Sequence, residues 1–123
     1  MFRIQPSAST PTMQRFSNDP RVWGPHAWIF IHTIASQYPV RPTPSEKQKY
    51  KTFFMVLPSV LPCVQCGINM MTYIESNYSA FNQAFDSRQA LFQWTVAFHN
   101  YVNSNERPST ITHNNPQPRR TII

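Results

Sequence analysis

The chain of 123 residues has only two cysteines, Cys63 and Cys66, and they fall three positions apart. A framework of structural disulfides is therefore excluded, leaving a redox pair, part of a metal site or two inert thiols. Long apolar runs are missing as well. Ala27 to Ile31 is broken at His32, far short of the ~20 residues needed to cross a bilayer, so a soluble protein without a membrane span is expected. No apolar run separates Arg3 from Arg15, so the N-terminus does not read as a secretory signal. Acidic residues are few, 5 against 11 lysines and arginines, and the formal charge is +6. Yet Arg21, Arg41, Arg88 and Arg107 are scattered and only Lys47, Lys49 and Lys51 cluster, so there is no basic stripe of the kind that binds nucleic acid. Sustained two-residue alternation is absent too, which excludes half-buried strands, and no internal repeat is present.

What is present can fold. A hydrophobic content of 41% and an aromatic content of 14% suffice for one core, and the length fits one domain. Residues 1–20, with Pro6, Pro11 and Pro20 among polar residues, read as a flexible tail, and so do residues 109–123. The working domain is expected over 21–108. Within it, four segments carry helical spacing. The first is expected to start near Pro25 and run to about Gln37, with Trp28, Ile31 and Ala35 on one face. Ser45 with Gln48 has the form of a capping box for a second helix bearing Tyr50, Phe53, Phe54 and Leu57, limited by Pro58 and Pro62. A third begins at Pro62-Cys63, carries Met70, Met71 and Ile74, and ends at Asn77. After a polar connection over 77–86, Asp86 with Gln89 resembles a cap for a long fourth helix with Leu91, Trp94, Phe98 and Tyr101. Four antiparallel helices with short loops predict an all-α four-helix bundle.

The pair Cys63-Val64-Gln65-Cys66 spans one helical turn, which permits a disulfide when the first cysteine sits at the helix end. Unpaired N–H groups and the macrodipole at such an end favour the reactive thiolate. A structural zinc site would need two further ligands. His26 and His32 point about 240° apart on one helix and cannot easily close a Cys₂His₂ site, though His99 or His113 could contribute. A thioredoxin-like site needs a preceding strand, and a c-type haem needs histidine where Gly67 stands; both fail. Two inert buried thiols are the bland alternative. Two other pairs, Trp28 with His32 and His99 with Asn103, have i, i+4 spacing and each shares a helix face. Aromatic and imidazole rings can sandwich a flat heterocycle, and Asn supplies a donor and an acceptor together.

Taken in order, Trp23-Gly24-Pro25-His26-Ala27-Trp28, His32-Thr33, Tyr38-Pro39, Pro62-Cys63-Val64-Gln65-Cys66, Trp94 and His99-Asn100-Tyr101-Val102-Asn103 resemble the Erv/ALR family of flavin-linked sulfhydryl oxidases. The resemblance covers about residues 23–103. It implies a four-helix bundle holding FAD, with room for a short extra C-terminal helix. Trp28, His32, His99 and Asn103 would surround adenine and ribose, and Gly24, Tyr38, Asn100 and Val102 match neighbouring contact positions. Cys66 matches the flavin-proximal cysteine and Cys63 the exposed partner that exchanges with substrate. No metal is implied.

The same resemblance implies an enzyme that oxidises protein dithiols and passes electrons through FAD to oxygen, yielding hydrogen peroxide. A thioredoxin-like carrier is the expected protein substrate, and a homodimer through the first two helices the expected assembly. The chain lacks the second, structural cysteine pair of many cellular members and any shuttle pair. Ser104-Asn105-Glu106-Arg107-Pro108 also replaces the family's basic segment, with Arg107 a candidate for its phosphate-binding lysine. So reduced a chain looks most like the versions in large DNA viruses. An intracellular site is expected, at virus assembly sites in host cytoplasm or in the virion, ahead of the mitochondrial intermembrane space. A zinc-stabilised interaction module without enzyme activity is the main alternative.

Overall fold

The structure, a computed structural model, describes residues 12–106. A 3-10 turn at Met13–Arg15 precedes five α-helices: α1 (Pro20–Ser36), α2 (Pro44–Val60), α3 (Val64–Ser76), α4 (Tyr78–Ala84) and α5 (Arg88–Glu106). The all-α expectation holds throughout the described residues, and no helix among them is long and apolar enough to cross a membrane.

Helix α1 starts a turn and a half earlier than the Pro25 start expected from sequence. Asp19 caps it by accepting from the Arg21 N–H at 2.9 Å, and Pro20 occupies the first helical position, where its missing N–H costs nothing. Pro25 then lies inside the helix. For α2 the capping box is Thr43 with Glu46, not Ser45 with Gln48: the Thr43 hydroxyl accepts from the Glu46 N–H at 3.1 Å and the Glu46 carboxylate accepts from the Thr43 N–H at 2.8 Å. The true box lies two residues earlier because Pro44 opens the helix. At the other end Pro58 falls within α2, which continues to Val60.

The stretch 77–86, expected to be a polar connection, holds α4 instead. Its seven residues bury Phe81 and Ala84 with Phe85 just beyond, so packing on α5 supplies the stability that one short helix cannot supply itself. Asp86 does not cap α5. Its carboxylate pairs with Lys47 at 3.2 Å, while the Ser87 hydroxyl accepts from the Ala90 N–H at 3.1 Å. The short extra helix thus precedes the last long helix. The place anticipated for a C-terminal one lies outside the described residues.

Helix α5 is the axis of the molecule, with α1 along one side of it and α4 against another, while α2 and α3 pair with each other. Trp28 meets Phe98 and His99, whereas His32, a turn later, reaches back to Phe92 and Thr95, so α1 and α5 run antiparallel. The core is aromatic. Trp94 stacks on Phe98 and takes the edges of Phe54 and Phe81, and Phe54, Met70, Ile74, Phe81, Phe85 and Leu91 are fully buried. Burying each such side chain contributes about 1.5–3 kcal/mol. Helices α2 and α3 come together where Gly67 meets Pro58: a Cβ on Gly67 would collide with the Pro58 carbonyl oxygen. That close approach holds the start of α3, and with it the cysteine pair, against the end of α2.

Candidate active site at the cysteine pair

Leu61 is the C-cap of α2 and Cys63 the N-cap of α3, so one short connection carries the reactive segment. Cys63 and Cys66 are joined in a disulfide with their Cα atoms 5.2 Å apart. The Cys66 N–H donates to the Cys63 sulfur at 3.2 Å, so the sulfur takes the place that an oxygen fills in most N-caps. Both cysteines are half-buried. When the bond opens, negative charge on either sulfur falls in the first turn of α3, where the helix dipole favours it.

Cys66 lines an apolar cleft with about 50 Å³ of enclosed volume, open to solvent at its mouth. Trp28 and Ile31 from α1, Leu57 and Leu61 from the end of α2, Met70 from α3 and Phe98 from α5 form most of its walls. Cys63 is not among the lining residues. The two cysteines thus differ in their surroundings. Gly24 and Val102 also line the cleft. Asn69, one turn beyond Cys66, adds a polar group, and its side-chain oxygen accepts from Gln65 at 2.9 Å.

At the α1–α5 seam, Trp28 and His99 stack with ring centroids 4.0 Å apart and planes 11° from parallel. His32, one turn further along α1, has its ring 5.7 Å from that of Trp28 and 24° from parallel. Its Nε2 lies 3.1 Å from His99 Nδ1 and its Nδ1 lies 3.0 Å from the Thr95 hydroxyl. Burial first, and then the neighbouring His99, hold the His32 pKa below its ordinary value of 6.5. Trp28, His32 and His99, three of the four residues in the i, i+4 pairs singled out in the sequence, therefore converge in space. Asn103, one turn after His99, is 5% exposed and its side-chain oxygen has no hydrogen-bond partner among the described residues. An unsatisfied buried acceptor costs about 1–3 kcal/mol, so it points to a donor that arrives with a ligand.

Two expected contact residues lie elsewhere. Tyr38 is fully buried, packs edge-on against Tyr50 and donates its hydroxyl proton to the Phe85 carbonyl at 2.7 Å. Burial, reinforced by Glu46 and Asp86, pushes its pKa up to about 12. Its own carbonyl accepts from Arg88. Tyr38 thus ties the end of α1 to the start of α5 rather than lining the cleft. Asn100 is exposed on the outer side of α5. Arg107 and His113 lie outside the described residues.

Sequence reasoning passed over Thr95, Asn69 and the leucines at the end of α2. A signal for Thr95 existed: a hydroxyl on the Leu91, Thr95, Phe98, Val102 stripe, four residues before His99, is a polar group at a core position. The leucines carried none, because an apolar residue at the end of a helix reads the same in a core as in a cleft.

A helical bundle that presents a Cys-x-x-Cys disulfide at a helix start, with one sulfur lining an aromatic cleft, defines a class of helical proteins built around a single dithiol pair. The Erv1/Alr family profile matches residues 25–118, and the chain belongs to that family. A probable FAD-linked sulfhydryl oxidase of Acanthamoeba polyphaga mimivirus is 39% identical over 84 residues, 68% of this chain and 58% of that one. A protein of Invertebrate iridescent virus 6 is 34% identical over 88 residues, 69% of this chain and 79% of its own length. The mitochondrial FAD-linked sulfhydryl oxidase ERV1 of Saccharomyces cerevisiae is 31% identical over 84 residues, 68% of this chain and 42% of the yeast protein. The match thus spans little more than half of the mimivirus relative. The crystal structure of the yeast Erv1 core superposes with a TM-score of 0.69 at 27% identity, covering 86% of each chain.

Proposed function

We propose that the chain is a FAD-dependent thiol oxidase that forms disulfides in protein dithiols and passes the electrons to oxygen, giving hydrogen peroxide. The observation that carries this reading is the Cys63–Cys66 disulfide, with Cys66 alone of the pair on a cleft flanked by stacked aromatic rings. The residues fit FAD. A flat ring system suits walls of Trp28, Leu57, Leu61 and Phe98, and the unpartnered Asn103 oxygen suits a ligand N–H or hydroxyl. Trp28, His32, His99 and Asn103 would hold the adenine and ribose, with Gly24, Val102 and Cys66 along the cleft. The 4.0 Å stack leaves no gap for a ring between Trp28 and His99.

A substrate thiolate attacks the Cys63 sulfur, forming a mixed disulfide and expelling Cys66 as a thiolate. The second substrate thiol then attacks the mixed disulfide, releases Cys63 and leaves as a disulfide. Two electrons have moved to the cysteine pair. Bound FAD would supply the two-electron acceptor for the reduced cysteines and the route from them to oxygen. The chain's own part is to keep Cys66 in the cleft, to stabilise its thiolate in the first turn of α3 and to exclude water with the surrounding leucines and aromatic rings.

The protein substrate in this reading is a small thioredoxin-like carrier, because Cys63 is the one sulfur available for exchange and only a narrow reactive edge can reach it. A homodimer through α1 and α2 is part of the same proposal, supported by the exposed Ile29, Phe30, Val56 and Val60 on those helices. The zinc-module alternative has lost its support. Its two thiolates are spent on each other, and no group of three or more His, Cys, Asp or Glu suited to a metal occurs among the described residues.

The absorption spectrum of the purified protein, read with its oxygen consumption, tests the proposal. Flavin bands, and oxygen uptake that is faster with a reduced thioredoxin-like protein than with a bulky reduced client, are expected. A colourless protein carrying stoichiometric zinc would overturn the enzyme reading, and equal rates with the bulky client would overturn the carrier.

A further inference from the structure

Thr95 has no exposed surface, yet its hydroxyl is doubly engaged: 2.7 Å from the Phe92 carbonyl oxygen and 3.0 Å from His32 Nδ1. A carbonyl can only accept, so the single hydroxyl proton goes to Phe92. What remains for His32 is a lone pair, and Nδ1 must therefore carry the proton. A neutral imidazole has one N–H, so the His32 Nε2 is an acceptor, and its 3.1 Å contact with His99 Nδ1 requires the proton on that nitrogen of His99. The donors run in one direction, from His99 to His32 to Thr95 to the helix backbone.

We propose that Thr95 is a positioning residue, which fixes the tautomer and orientation of the His32–His99 pair and so sets the face those rings offer to the adenine. This rests on the reading of the ring cluster as the adenine seat. The fixed end of the chain is the backbone carbonyl of α5, which cannot exchange donor for acceptor, so every bond upstream has only one possible direction. With His32 held as the Nδ1–H form, its Nε2 stays an acceptor toward His99. The Nε2 of His99 is left as an acceptor. His99 is stacked on Trp28, so the orientation of all three rings follows from one buried hydroxyl.

A packing role for Thr95 makes a different prediction. Thr95→Val keeps the shape and removes the hydroxyl, whereas Thr95→Ser keeps the hydroxyl and removes a methyl group. Imidazole nitrogen NMR of the full chain as purified reads the tautomer directly, and the ratio of flavin to protein absorbance after dialysis reads cofactor retention. His32 is expected as the Nδ1–H tautomer in the wild type and in Thr95→Ser, and as the Nε2–H form or a mixture in Thr95→Val. FAD affinity should fall about tenfold in Thr95→Val, the loss of one hydrogen bond's worth, and recover in Thr95→Ser.

An unchanged His32 tautomer in Thr95→Val overturns the proposal. So does an Nε2–H tautomer in the wild type, a result that needs no variant to fold. A wild-type protein that binds no FAD while its His32 shows the expected tautomer, lost in Thr95→Val, would instead defeat the adenine reading and leave the role of Thr95 in ordering the rings standing.

Discussion

Cys63 and Cys66 share one disulfide but not one environment. Cys66 lines the cleft and Cys63 does not, so removing each should expose a different half of the reaction. In Cys66→Ser, the free Cys63 thiolate should attack the disulfide of the oxidised carrier, expelling one carrier thiolate and leaving a mixed disulfide that no Cys66 thiolate can resolve, visible on a non-reducing gel. In Cys63→Ser, the Cys66 thiolate remains beside the cofactor and a long-wavelength absorbance should appear in the flavin-bound protein. That band in Cys66→Ser would reverse the two roles. His32 yields a second prediction. Its pKa is lowered in the fold by burial and by His99, so between that value and 6.5 the unfolded chain binds the extra proton and the folded chain does not. Its contribution to stability is complete above about 6.5 and is lost as the pH falls toward the folded value. Melting temperatures between pH 5 and 8 should therefore drop more steeply on acidification for the wild type than for His32→Gln. Parallel curves would show that His32 is not the group responsible.

Among the elements, the joint between α2 and α3 is the least forgiving. Gly67→Ala gains helix propensity of about 1 kcal/mol but drives a methyl group into the Pro58 carbonyl oxygen, a backbone atom that cannot rotate away. Overpacking of this kind costs about 1–3 kcal/mol and must also part the helices that hold the cysteine pair. Gly67→Ala should lower the melting temperature by several degrees and slow substrate oxidation. A raised melting temperature would mean that the helices separate freely. The helix ends show how local signals compete. Ser45 with Gln48 and Thr43 with Glu46 both satisfy the capping-box pattern, and the second one forms, with both reciprocal bonds made and Pro44 at the first helical position, where it is tolerated. At α4 the local signal is too weak: seven residues do not form a helix unaided, and only the burial of Phe81 and Ala84 against α5 makes one.

For the molecule as a whole, the open question is what covers Ile29 and Phe30. Both are more than half exposed on α1, beside an otherwise well-buried core. If a second copy covers them, Phe30→Glu should halve the mass measured by light scattering while helicity is kept, because a charge on each side of a twofold interface meets itself. A wild type that is already monomeric would rule out the homodimer.

The sequence alone was enough for the class of fold, for the cysteine pair at a helix start, and for the pairing of Trp28 with His32. All of these are written within one or two turns of helix, where a spacing of three or four residues dictates which side chains meet. The helix at Tyr78–Ala84 and the burial of Tyr38 were decided only when distant segments packed. So was the bond from His32 to Thr95, 63 positions apart, and that to His99, 67 positions apart. Periodicity places a residue on a face of its own helix, but which face of another helix it meets depends on how the whole core fills its volume. The site is therefore legible as two half-sites in the sequence, and it becomes one site only where α1 and α5 lie antiparallel.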